Sequence, residues 1–307
     1  MRIVVGIPVF NEMFFIDQSV SNAVFMGYDK VVYLDDGSTD GTYEKLLEYS
    51  NKYESVEVFS NDKNSILSKG TNRWKVLAEH CRQFDPDWIM VRAADQTFSV
   101  SSKLLLRNRL EEIYLKKNAH MVSFPVVHFW RSPWWYRIDG YWGNSAKNHV
   151  SNSCWRNDCG WEFTGEFKVS GMHRGVHHPN NFKTKYGAIG INYNFHKYPF
   201  PISVLHYGMS SNELLEKKLD HQLNMSLLSK NNNFLIPANK MPHPSSWNNH
   251  NGYKIAYEKG MILEKAHSDW FDIPIPNVDK PKVVSMYNTI KKYNAARAKE
   301  YAKIYGE

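Results

Sequence analysis

The chain opens with Ile3-Val4-Val5-Gly6-Ile7-Pro8-Val9, an apolar run too short for a helix, which predicts a buried strand over residues 3–9, broken by Pro8 and Asn11. From Phe14 to Phe25 the apolar residues fall at helical spacing, with Asn11 or Glu12 placed to cap the start. Val31-Val32-Tyr33-Leu34 predicts a second strand, apolar on both faces and therefore covered on both. It ends in Asp35-Asp36, followed by Gly37-Ser38-Thr39-Asp40-Gly41-Thr42, a run with the composition of a turn. Residues 42–52 return to helical spacing, with Ser38, Thr39 and Asp40 as cap acceptors. Further on, the pattern predicts a half-buried strand over 55–59, a polar loop over 61–69 and a helix over 71–78. A buried strand over 87–91 then runs into Arg92-Ala93-Ala94-Asp95-Gln96.

Alternating strands and helices imply an α/β fold with a mostly parallel sheet. In such sheets ligands bind at the carboxyl ends of the strands, where the two acidic loops fall. Paired carboxylates suit hydrogen-bond donors on a base or sugar. They would repel a phosphate, so a nucleotide there calls for a bridging cation.

The same residues carry a resemblance. An opening strand with a Pro8-Val9-Phe10-Asn11-Glu12 turn, then a strand ending in Asp35-Asp36-Gly37-Ser38-Thr39-Asp40-Gly41-Thr42, resembles the family 2 glycosyltransferases in both order and distance. The resemblance covers residues 1–100 well and is patchy beyond them. It implies a fold of the glycosyltransferase A type and transfer of a sugar from a nucleotide-diphospho-sugar, a UDP-sugar by preference, to an acceptor hydroxyl with inversion. It places Pro8, Phe10, Asn11, Glu12, Asp35, Asp36, Lys69, Asn72, Ala94 and Asp95 around the nucleotide. Phe10 stacks on the base, with core packing as its alternative, and Asp35 or Asp36 accepts from the base or ribose. The family's Asp-x-Asp metal motif is incomplete here, because Ala93 stands at its first position and only Asp95 remains. Asp95 and His206, the latter in His206-Tyr207-Gly208 at the end of a strand expected over 200–208, are the implied ligands of Mn²⁺ or Mg²⁺. Lys217 and Lys218 follow, within reach of a leaving diphosphate. The acceptor's proton requires a carboxylate base downstream of the metal motif. Glu162, Glu166 and Asp139 are the candidates, and no motif chooses among them.

The second half is less patterned. Residues 101–117 predict a helix with Leu104, Leu105, Leu106, Leu110, Ile113 and Tyr114 inward, and 121–127 a strand. Residues 128–142 are dense in Trp and Tyr among Arg and Asp, which suits an acceptor cleft better than a core, because buried indole and phenol groups need polar partners. Cys154, Cys159, His173 and His177 approach the spacing of a structural zinc module, with an acceptor-side loop as the alternative. From residue 231 Asn, Pro and His dominate. The chain therefore divides into a catalytic domain over 1–230, with a nucleotide half (1–100) and an acceptor half (101–230), and a loop and helical extension over 231–307. Within that extension, 252–267 and a basic stretch ending near 305 read as helical, with an extended spacer at 272–276.

Composition narrows the classes. The 307 residues are 42% hydrophobic and 22% charged, as in a soluble globular protein, and no apolar run approaches the roughly 20 residues that span a bilayer. The amino terminus enters a strand without a signal-peptide layout, so a cytoplasmic location is the expectation. Three cysteines exclude a disulfide scaffold. A net charge of +7 favours acidic partners without separating nucleotides from nucleic acid. Two other classes stay open: a nucleotide-sugar-binding module without catalysis, which would explain Ala93, and an enzyme or binder acting on nucleic acid, for example glycosylating a modified base.

Overall fold

The structure is a computed structural model that describes residues 1–61, 72–116, 121–137, 150–156, 162–163, 182–183, 190–192, 202–214, 217 and 263–281. Its first half alternates β1 (Ile3–Val9), α1 (Met13–Met26), β2 (Lys30–Asp35), α2 (Thr42–Lys52), β3 (Val56–Ser60), α3 (Asn72–Arg82) and β4 (Trp88–Val91). β1 pairs in parallel with both β2 and β4, and β2 with β3, giving the four-stranded parallel order β3-β2-β1-β4. This is the α/β arrangement expected of the glycosyltransferase A type.

Both faces of this sheet are covered, which is why its strands read as unbroken apolar runs. Ile3, Val5, Ile7 and Tyr33 pack with Phe15, Ile16, Val20 and Leu46 of α1 and α2. Val4, Val32, Leu34, Ile89 and Val91 pack on the other side with Leu77 and Cys81 of α3. Each fully buried Val or Leu contributes roughly 1.5–3 kcal/mol, so this alternation fixes the register firmly. α3 sits close on β1: a Cβ at Gly6 would lie 2.8 Å from Leu77 Cγ and 3.0 Å from Cys81 Sγ. The same burial pushes the Cys81 thiol pKa well up.

The second half supplies β5 (Gln96–Phe98), α4 (Ser102–Lys116), β6 (Met121–His128), β7 (Trp135–Arg137), β8 (Val150–Arg156), β9 (Glu162–Phe163), β10 (Phe182–Lys183), β11 (Gly190–Asn192), β12 (Val204–His206) and β13 (Leu263–Lys265). β8 lies antiparallel between β4 and β6, and β12 runs parallel to β6, so β6 and β12 point the same way as β4. The ladder shifts at Phe124/Pro125, where proline has no N–H to donate. β12 in turn pairs antiparallel with β5, whose first residue, Gln96, faces His206.

Three expectations need correction here. On α4 Leu106, Leu110 and Ile113 are buried in the core and Tyr114 packs against it, whereas Leu104 is 70% exposed and Leu105 46%. One stripe at i, i+4, i+7 meets the sheet, and three adjacent leucines cannot all lie on it. Phe129, Trp130 and Tyr136, read as part of an acceptor cleft, are core residues, with Phe129 stacked on Tyr207 at 4.8 Å. The helix expected over 252–267 is replaced at 263–265 by β13, which pairs with β7. A 3₁₀ turn follows at Ser268–Trp270, and the Trp270 ring packs 5.3 Å from that of Tyr136. The carbonyls of Asp269 and Trp270 accept from Ser101 and Val100, tying this late segment to the start of α4. The helical stretch proposed toward residue 305 lies outside the described residues.

Candidate nucleotide and metal site

The chain leaves β1 for β2 and β3 on one side and returns through β4 on the other, so the strand order reverses between β1 and β4. Such a reversal opens a crevice at the carboxyl ends of the strands. Phe10, Asn11 and Glu12 follow β1, Asp35 and Asp36 end β2, Arg92 to Asp95 follow β4, and His128 and His206 end β6 and β12. Because all these strands point one way, the residues share one edge of the sheet.

The first two loops are locked together. Asn11 takes φ 55°, a left-handed conformation that asparagine tolerates. Its N–H donates to Ser38 Oγ at 2.9 Å, and its Oδ1 accepts from the Thr39 N–H at 2.8 Å. Asp40 accepts from the N–H groups of Met13 (3.2 Å) and Thr42 (3.1 Å), so one carboxylate serves the first turns of α1 and α2. The Glu12 N–H completes the lock by donating to Thr42 Oγ1 at 2.9 Å. The sequence placed Asn11 or Glu12 as the cap of α1, but neither side chain caps it, and α2 begins at Gly41 with φ 90°. Partial burial pushes the Asp40 carboxyl up, but the bonds from Thr42 and Met13 and the nearby Lys217 ammonium outweigh it, and its pKa falls below the ordinary 3.8. The exposed Lys217 ammonium is therefore near enough to Asp40 to act on its charge.

Asp35 is 2% exposed. Its Oδ2 accepts from the N–H groups of Gly37 (2.8 Å) and Ser38 (3.0 Å), a turn that Gly37 permits at φ 82°. Its Oδ1 is buried and accepts no hydrogen bond among the described residues. Asp36, equally buried, accepts from Asn61 Nδ2 at 3.1 Å. Pro8 and Phe10 are half-buried at the end of β1.

Asp95 stands in a turn braced by Arg92, a fully buried guanidinium. Arg92 Nη2 donates to the Ser19 carbonyl at 2.9 Å, and Nη1 donates to the Gln96 carbonyl. Ala94 is buried beneath this turn, and the N–H of Ala93 donates to Gln96 Oε1 at 3.1 Å. Burial raises the Tyr33 pKa despite Arg92 and the bond to Ser19.

The fold brings Asp95 and His206 together, with Nε2 of His206 3.0 Å from Asp95 Oδ2. The Tyr207 N–H also donates to the Asp95 carbonyl at 2.9 Å. Two neighbouring ligands of an octahedral ion, each about 2.1 Å from it, are about 3.0 Å apart, so the spacing of this pair fits a hard divalent cation. A carboxylate oxygen suits Mn²⁺ or Mg²⁺. Among the described residues no group of three His, Cys, Asp or Glu side chains converges on one point.

Sequence reasoning missed His128 as a site residue. Its Nδ1 lies 2.6 Å from Nδ1 of His206, with the rings at 84°. Lys69, Asp139, Glu166, Cys159, His173, His177 and Lys218 lie outside the described residues. The backbones of Asn72, Cys154 and Glu162 are placed on α3, β8 and β9.

Among the described residues no helix is long and apolar enough to cross a membrane. A comparison with curated proteins found no match. Among solved structures, the mannosyltransferase PcManGT from Pyrobaculum calidifontis, in complex with GDP-Man and Mn²⁺, is similar at 11% identity and a TM-score of 0.41, over 74% of this chain and 64% of that one. Glucosyl-3-phosphoglycerate synthase from Mycobacterium tuberculosis, with Mn²⁺, UDP-glucose and phosphoglyceric acid, is 15% identical over 52% and 57%, with a TM-score of 0.34. GalNAc-T7 with UDP, GalNAc and Mn²⁺ is 12% identical over 84% and 56%, with a TM-score of 0.41. The chain thus spans less than two thirds of the length of each. The segment from β1 to the start of α4, residues 4–102, matches the model of glycosyl transferase family 2, the family that the opening turn and the Asp-Asp-Gly loop resemble.

Proposed function

We propose that the protein transfers a sugar from a nucleotide-diphospho-sugar, by preference a UDP-sugar, to an acceptor hydroxyl with inversion at the anomeric carbon. One observation carries this reading: the buried carboxylates of β2 and the Asp95–His206 pair lie at one sheet edge, around the reversal between β1 and β4. In this reading Asp35, whose Oδ2 is already bonded, accepts through Oδ1 from the imide N–H of a uracil, and Asp36 accepts from the ribose. Phe10 gives the base a face to stack on. Asp95 and His206 would hold Mn²⁺ or Mg²⁺, whose charge stabilises a diphosphate as negative charge builds on the leaving group. Lys217, near Asp40, adds a second cation on that side. The acceptor's proton goes to a carboxylate, with Glu162, Glu166 and Asp139 the candidates.

Titration calorimetry of UDP with and without Mn²⁺, on the wild type and on Asp95→Ala, tests the reading. The expected result is Mn²⁺-dependent binding that the substitution abolishes. Absence of binding by both UDP and GDP would overturn it.

A further inference from the structure

We propose that His128 is a positioning residue that sets which nitrogen of His206 is available to a divalent cation. The inference rests on the reading above, in which Asp95 and His206 hold that cation.

His128 and His206 are the last residues of β6 and β12 and face each other in the parallel ladder. Both are buried, at 2% and 7% exposure. The ladder is closed at this point by the Phe129 N–H, which donates to the His206 carbonyl at 3.0 Å, so neither backbone is free to drift. The two Nδ1 atoms are 2.6 Å apart, a separation at which one ring must donate a proton and the other accept it. On the opposite side of the His206 ring, Nε2 is 3.0 Å from Asp95 Oδ2.

Two neutral arrangements of the His206 ring are compatible with its contact to His128. In one, His206 carries its proton on Nε2, donates to Asp95 and accepts from His128. In the other, His206 carries it on Nδ1, donates to His128, and turns the Nε2 lone pair toward the space beside Asp95. Only the second arrangement offers both a carboxylate oxygen and an imidazole lone pair to a cation. His128 is what makes it available, because its Nδ1 gives the transferred proton an acceptor inside a buried site, where an unpartnered ring N–H is costly. A histidine ligand whose other nitrogen is bonded in this way is held in both tautomer and orientation, and losing such a partner typically weakens metal binding about 10- to 100-fold.

The test measures Mn²⁺ affinity directly, from the free-ion paramagnetic resonance signal in the presence of UDP, with metal-free melting followed alongside. The variants are His206→Ala, His128→Leu, His128→Asn and His128→Gln. An asparagine oxygen takes the position of the histidine Nδ1, whereas a glutamine oxygen takes that of Nε2. The expected pattern is binding about 10- to 100-fold weaker in His128→Leu and His128→Gln, and binding within about threefold of the wild type in His128→Asn. Should His128→Leu fail to fold, the Asn and Gln pair alone decides. Equal Mn²⁺ affinity across Asn, Gln and wild type would overturn the role of His128 and leave the donor site standing. No Mn²⁺ binding by the wild type, or unchanged binding by His206→Ala, would remove the donor-site reading and the inference with it.

Discussion

The most informative single change is Asp35→Asn, because the two oxygens of this carboxylate have different surroundings. Oδ2 accepts from Gly37 and Ser38, whereas Oδ1 is buried and accepts no bond among the described residues. In the variant the amide oxygen keeps the two backbone bonds, and the NH₂ group must then occupy the Oδ1 position. A hydrogen bond to a charged acceptor contributes about 1.5–3 kcal/mol. Replacing the acceptor by a donor opposite a uracil N–H should therefore weaken UDP binding by about 10- to 150-fold. Stability should change less: the two retained bonds weaken when the charge is lost, but the cost of burying that charge is also removed. We expect a net change of about 1 kcal/mol or less, a melting shift of about 2–4 °C. CDP supplies the internal control, since cytosine presents an acceptor where uracil presents a donor, and its affinity should hold or rise. Calorimetry with both nucleotides and a thermal melt complete the experiment. If UDP affinity is unchanged while the melting temperature collapses, Asp35 Oδ1 is a structural group and its assignment to the base is wrong.

Gly6→Ala places a methyl group 2.8 Å from Leu77 Cγ in a packed layer, so urea denaturation should show a loss of about 1–3 kcal/mol; an unchanged midpoint would mean that α3 shifts freely. Asp40→Ala should cost about 0.5–2 kcal/mol at neutral pH. Because the folded pKa of Asp40 lies below its ordinary 3.8, that stabilisation is complete above this value and disappears as pH falls through the lowered one. Wild type and variant should therefore converge in acid, and a gap that widens there would contradict the assigned bonds.

What was legible in the sequence was local. Val31 to Leu34 read as a doubly covered strand because four consecutive apolar residues leave no solvent face, and Gly37 and Gly41 marked turns that need positive φ. Asp35 and Asp36 could be picked out because they stand where an apolar run stops, whereas Asp95 and His206 came from the resemblance to the family. Illegible were the facts that depend on sheet register. His128 follows a strand as plainly as His206 does, but only the β6–β12 ladder sets the rings side by side. Asp40 has the chemistry of a cap, yet its bond to Met13 crosses from one loop to another. The leucines of α4 misled because composition gives no helical phase among Leu104, Leu105 and Leu106. Phe129 and Trp130 misled because aromatic density looks alike in a cleft and in a core.

The docking of Asp269 and Trp270 on the start of α4 bears on how the chain assembles as it is synthesised. The parallel strands and their two acidic loops lie within a continuous early stretch and can pair as they emerge. The amides of Val100 and Ser101, and the apolar wall around Tyr136, must wait for partners that lie far downstream in the chain. Until then the growing polypeptide carries a nearly finished parallel sheet with an open apolar flank, a period in which a chaperone or a slower ribosome would help most.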